Sequence, residues 1–161
     1  DQTVIFDSSG DIMTFDTELS LGTFAIYIRC EFDATSGEFL MEKGSSDFFQ
    51  IYEANKVRTK IDGNRHDFTL PASISADTKF NIGWERADTD GTTDDVLSVY
   101  LNGEIATQAG TGDGTQAITD ALAITTLGKP TQTSKWYEII ICTDALSSDD
   151  RALLNEYLNT I

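Results

Sequence analysis

The stretch Phe24-Ala25-Ile26-Tyr27-Ile28-Arg29-Cys30-Glu31-Phe32 alternates with a period of two. Phe24, Ile26, Ile28, Cys30 and Phe32 fall on one side of an extended chain and Ala25, Tyr27, Arg29 and Glu31 on the other. That is the pattern of a half-buried β-strand whose first face meets a core. On either side of it the chain repeats the theme: runs rich in Val, Ile, Phe, Tyr and Thr, separated by Gly, Asp, Asn and Ser clusters. Such runs predict strands over residues 3–6, 12–15, 38–42, 48–53, 56–61, 66–70, 79–86, 96–101, 104–107, 121–127 and 135–142, none with an internal proline. So many short strands exceed what one open sheet of this size carries. The expected fold is all-β, a two-sheet antiparallel β-sandwich that buries both inner faces.

Turn chemistry sets the pairings. Asp62-Gly63-Asn64 and Asn102-Gly103 each sit between two such runs, and these residue types accept the positive φ of tight hairpins. The glycine-dotted segment 110–119 has little apolar content and no following lysine or helix, which predicts a long loop and not a phosphate cradle. At the end of the chain the period changes. Ser147 with Asp150 reads as a capping box, and Leu146, Leu153, Leu154, Tyr157, Leu158 and Ile161 share a helical face. One short C-terminal α-helix is therefore expected, with Asp149 and Asp150 at its positive end.

Length and charge narrow the function classes. With 161 residues the chain is expected to be one domain, 1–161. Eleven Lys and Arg against 27 Asp and Glu give −16, a field that repels phosphate backbones and anionic headgroups, so neither nucleic acid nor membrane is the expected partner. No apolar run approaches the roughly 18 residues of a membrane span. The chain opens on Asp1, which reads as an excerpt or a processed form. Two cysteines, Cys30 and Cys142, have no metal-type spacing; free thiols are expected, with one long-range bridge as the alternative.

Taken in order, several motifs resemble the concanavalin A-like, laminin-G-like jelly-roll family. They are Gly22-Thr23-Phe24-Ala25-Ile26-Tyr27-Ile28-Arg29, Gly37-Glu38-Phe39-Leu40-Met41-Glu42-Lys43-Gly44, Phe80-Asn81-Ile82-Gly83-Trp84 and the hairpin Leu97-Ser98-Val99-Tyr100-Leu101-Asn102-Gly103-Glu104. Trp136-Tyr137-Glu138-Ile139-Ile140-Ile141-Cys142 with Ala145-Leu146-Ser147-Ser148-Asp149-Asp150 is similar to the family's closing strand and helix start. The resemblance implies lectins, adhesion modules, glycan-processing enzymes or bacteriophage appendage and coat modules, so the residues must choose. In brevity and in its C-terminal helix the chain is similar to phage-borne members. That similarity implies a non-catalytic virion component (capsid decoration protein, head fibre or tail appendage) docked on a capsid or tail subunit as an oligomer or as lattice-bound copies. The alternative is a carbohydrate-binding or adhesion module of a secreted or cell-surface protein, with a host-surface glycan as ligand.

Catalytic material is thin. Glucanases of this fold carry carboxylates at alternate strand positions facing one cleft. Here Glu31 and Asp33 alternate, but Glu38 lies beyond a turn-like Ala34-Thr35-Ser36-Gly37, so hydrolysis is not expected. His66, the one histidine, reads as a hairpin residue. The acidic run from Asp88 through Asp90 to Asp94 and Asp95 offers hard oxygen ligands suited to Ca²⁺, against a reading as a solvated hairpin. The positive anomaly is sharper. Lys56, Arg58, Lys60 and Arg65 crowd four of the eleven basic residues into ten positions, and the first three alternate with Val57, Thr59 and Ile61. One strand face thus carries a basic stripe, answered either by the protein's own carboxylates or by a partner's. Trp84 and Trp136 fall inside strands, and of Phe48, Phe49, Tyr52 and Tyr137 period two puts about half in the core, so no aromatic platform is read from the sequence.

Overall fold

A computed structural model describes residues 3–7, 11–33, 38–89, 96–112, 118–129 and 133–161. The strands are β1 (Val4–Phe6), β2 (Met13–Leu21), β3 (Phe24–Phe32), β4 (Glu38–Lys43), β5 (Asp47–Glu53), β6 (Lys56–Ile61) and β7 (Asn64–Thr69). They continue as β8 (Phe80–Arg86), β9 (Leu97–Leu101), β10 (Glu104–Ile105), β11 (Thr107–Gly112), β12 (Leu122–Lys129) and β13 (Ser134–Cys142), and one helix, α1 (Ser148–Leu158), follows. They form two antiparallel sheets: six strands in the order β1-β13-β3-β8-β9-β10, and seven in the order β11-β7-β6-β5-β4-β12-β2. The fold is the expected jelly-roll β-sandwich with a short C-terminal helix.

The core lies between the sheets. Phe24, Ile26, Ile28, Cys30 and Phe32 of β3 all point into it, as their alternation predicts, against Leu40, Phe49, Ile51, Val57 and Ile61 of the seven-stranded sheet. Trp84 stacks on Phe49 with centroids 4.7 Å apart and planes within 3°, tying one sheet to the other. Both tight turns hold the positive φ that their residues favour: 52° and 76° at Asp62 and Gly63, 52° and 88° at Asn102 and Gly103.

Three expectations are corrected. The second face of β3 is covered too, since Ala25, Tyr27 and Arg29 are buried. The helix lies over that face. Its cap is as expected, Ser147 Oγ accepting from the Asp150 amide at 3.1 Å, but its contact face is different. Leu158 is fully buried and Leu154 partly, while Leu153 and Tyr157 are 65% and 46% exposed. The rest of the contact is polar: Arg151 bonds Glu85 with two parallel bonds of 2.8 Å, and Asn81 Nδ2 donates to Asn155 and Asn159 at 2.9 and 3.0 Å. Residues 151, 155 and 159 are spaced by four and form one row on a helix, so their hydrogen bonds to the sheet, not the outlying apolar side chains, set its rotation. The loop expected over 110–119 is also shortened at its start, because Thr107–Gly112 pairs with β7 across a register shift; residues 113–117 lie outside the described ones.

Candidate functional site on the outer face of the seven-stranded sheet

The hairpin β6–β7 turns at Asp62-Gly63, which pairs Ile61 with Asn64, Arg58 with Asp67 and Lys56 with Thr69. Because side chains alternate, Val57, Thr59 and Ile61 go inward, fully buried, and Lys56, Arg58 and Lys60 go outward as the spacing predicts. Arg65, opposite Lys60, joins them on that face. All four basic residues are therefore brought together.

Much of their charge is answered within the chain. Arg58 Nε and Nη2 donate to Asp67 Oδ1 and Oδ2 at 2.8 and 3.0 Å, a two-bond clamp. The hydrogen bond it donates to Asp67 holds the Arg58 guanidinium above its ordinary range, against the desolvation that would lower it. Arg65 Nε stands 3.8 Å from Asp67 Oδ1, and Lys56 Nζ 3.0 Å from Glu53. Among the described residues no carboxylate pairs with Lys60. Tyr52 on β5 completes the surface: the Arg58 guanidinium lies 3.7 Å from the centroid of its ring, which is 38% exposed. Phe48, opposite Lys60, is half-buried beside it. The result is a flat ring backed by an oriented guanidinium, with cations at its margin. It can stack on an apolar face and attract an anion.

Counting outward from the Asp62-Gly63 turn, where partner numbers sum to a constant, would have placed Asp67 against Arg58 from sequence alone. Tyr52 was among the residues that could face outward, but its place beside Arg58 could not be counted, since a bulge separates Ile51 from Glu53 on β5.

Other candidates go elsewhere. Glu31 accepts from Lys135 Nζ at 2.6 Å and from the Tyr137 hydroxyl at 2.9 Å. Those two bonds depress its carboxyl below the ordinary range, the opposite of what a general acid needs. Asp33 is exposed just past the end of β3, while Glu38 opens β4 in the other sheet, so these carboxylates do not share one strand face. His66 faces the core at 1% exposure. Asp88 lends its backbone carbonyl to the Arg86 guanidinium at 2.9 Å; Asp90, Asp94 and Asp95 lie outside the described residues. Arg86 itself is fully buried and donates to four carbonyls, those of Asp88, Thr89, Ile118 and Asp120. Of the aromatic candidates, Phe49, Trp84 and Trp136 belong to the core. Cys30 and Cys142 are free thiols, the first buried and the second partly exposed.

No family model matches the sequence, and no curated protein matches it. Solved structures do match in shape. A native heptameric SAP-like pentraxin from Limulus polyphemus superposes with a TM-score of 0.69 at 9% identity, covering 95% of this chain and 81% of that one. The binding domain of Paraclostridial Mosquitocidal Protein 1 gives 0.62 at 14% identity, covering 96% of this chain and 43% of that one. The CBM40 of the Ruminococcus gnavus IT-sialidase, bound to alpha2,3 sialyllactose, gives 0.57 at 11% identity over 94% and 98% of the two chains. At such identities the likeness is one of fold: this chain has the jelly-roll sandwich that those proteins share.

Proposed function

We propose that the protein is a non-catalytic recognition module that uses the outer face of its seven-stranded sheet to hold a carboxylate-bearing glycan. The observation that carries this reading is the plate formed by Tyr52 on the clamped Arg58, with Lys60 and Arg65 beside it. A sugar offers an apolar face for the ring and an acidic sugar a carboxylate for the cations, and the clamp fixes the guanidinium before ligand arrives. Two of the structural neighbours support the class, one described as a binding domain and one bound to a sialylated sugar. The test is a glycan array comparing acidic glycans with their neutral counterparts, using wild-type protein and Lys60→Glu/Arg65→Glu. Acidic glycans should bind wild-type only; equal retention of neutral glycans, or unchanged binding by the double variant, would remove the reading.

A second reading is attachment to a virion surface through the same stripe, extracellularly displayed in many copies. The net charge of −16 favours it, because crowded copies would repel one another and stay dispersed. Salt-sensitive binding to purified phage capsids or tails, lost in the same double variant, is its test. For either partner Arg58 is unsuited to charge reversal, since its removal would strip Asp67, 7% exposed, of its clamp.

A further inference from the structure

Two aromatic side chains stand on the outer face of β5. Phe49 and Ile51 go to the core, so Phe48 and Tyr52 take the opposite side of the strand, with Gln50 between them. The register gives each ring its own cations. Phe48 lies across from Lys60, and Lys60 across from Arg65. At the other end the Tyr52 ring lies on the Arg58 guanidinium, and Lys56, next along that face, pairs with Glu53 at 3.0 Å, where 38% and 47% of the two side chains stay exposed. Such a solvent-screened pair contributes little and is readily exchanged for a ligand's carboxylate. Four residues of β5 separate Phe48 from Tyr52, and four of β6 separate Lys56 from Lys60, roughly 13 Å in each case. Like charges directly opposite in a sheet repel, so Lys60 and Arg65 gain from an anion set between them, even with Asp67 Oδ1 3.8 Å from Arg65. Glu42, opposite Phe48 on β4, puts a carboxylate on the far side of that ring, which directs the anion toward β7.

We infer that this face binds an internal stretch of a linear glycan that bears carboxylates along its length, lying parallel to β5 and β6 with one sugar against Phe48 and another against Tyr52. The inference rests on the glycan-binding reading above and adds the shape of the ligand to it. A single sugar covers one ring with its cations and leaves the other bare. The roughly 13 Å between the rings corresponds to about three sugar units. A chain of that length engages both, and its second contact is intramolecular, which raises affinity without a new kind of contact. A terminal acidic sugar offers one carboxylate, whereas cations stand at both ends of the strip.

Calorimetry with galacturonic acid and its linear oligomers of two to six units is the test. Affinity should rise at least about tenfold from monomer to tetramer and level off beyond it, while alpha2,3 sialyllactose, with its one terminal carboxylate, should bind like the monomer. Phe48→Leu and Tyr52→Leu keep apolar bulk and remove the ring, and each should bring the tetramer back near the affinity of the monomer. Equal affinity for monomer and tetramer, or sialyllactose bound more tightly than the tetramer, would overturn the inference and leave the face a site for single acidic sugars. Failure of the whole series and of sialyllactose to bind would remove the glycan-binding reading itself. The length series uses wild-type protein, so it decides the matter even where a variant folds poorly.

Discussion

Removing Arg151 puts the helix-to-sheet interface to a quantitative test. Glu85 is 3% exposed and accepts from three donors: Arg151 Nε and Nη2, both at 2.8 Å, and the Tyr27 hydroxyl at 2.5 Å. The Arg151 guanidinium also lies 4.4 Å from the Tyr100 ring centroid and donates to the Leu146 carbonyl at 3.1 Å. The Glu85 hydrogen bond holds the Arg151 guanidinium above its ordinary range. Arg151→Met keeps the stem's packing and removes the charge, leaving Glu85 buried with Tyr27 alone. Breaking a buried pair from one side costs about 3–5 kcal/mol. For a chain of this length that lowers Tm by roughly 6–20 °C. Adding Glu85→Gln to Arg151→Met removes the stranded charge and should restore at least about 1 kcal/mol relative to the single variant. Urea unfolding followed by tryptophan fluorescence gives all the values. An Arg151→Met variant within about 1 kcal/mol of wild-type, or a double variant as unstable as the two changes added, would refute the claim that this pair anchors the helix.

Three further outcomes are expected. Gly83→Ala would place its Cβ inside the Tyr27 ring, which the bond to Glu85 prevents from moving aside, so urea unfolding should show a loss of about 1–3 kcal/mol; wild-type stability would mean that the ring gives way. Glu31 has its carboxyl depressed in the folded state by Lys135 and Tyr137, so its contribution to stability is present above the unfolded pKa of about 4.3 and is lost as the pH falls through the lower folded value. The acid limb of a Tm-against-pH curve should therefore be shallower in Glu31→Gln, and identical limbs would contradict this. Burial pushes the Cys30 thiol well above its ordinary range, whereas Cys142 is partly exposed; native protein should take up one equivalent of a thiol reagent, at Cys142, and labelling at Cys30 would show the core opening.

Features governed by neighbours in sequence were legible from the residues. The inner face of β3, the two hairpins and the Ser147 cap each depend on a period or on one turn's chemistry, and each is found as read. What escaped depends on partners distant along the chain. Tyr27 and Arg29 look like an outer face until α1 lies over them, more than a hundred residues later. Leu153 and Tyr157 look like helix contacts because apolar residues were taken to mark the buried side, whereas here Arg151, Asn155 and Asn159 mark much of it. The basic stripe was legible as alternate residues of one strand, but the pairing of Tyr52 with Arg58 lies across a bulge that no spacing announces.

Arg86 has a consequence for the conditions under which the molecule works. Its guanidinium draws residues 88–89 and 118–120 onto a single cation that arrives with the polypeptide. These two segments therefore meet on a charge that the chain itself carries. Their junction should persist through a chelator wash or a calcium-poor medium, and would come apart only with the sandwich itself.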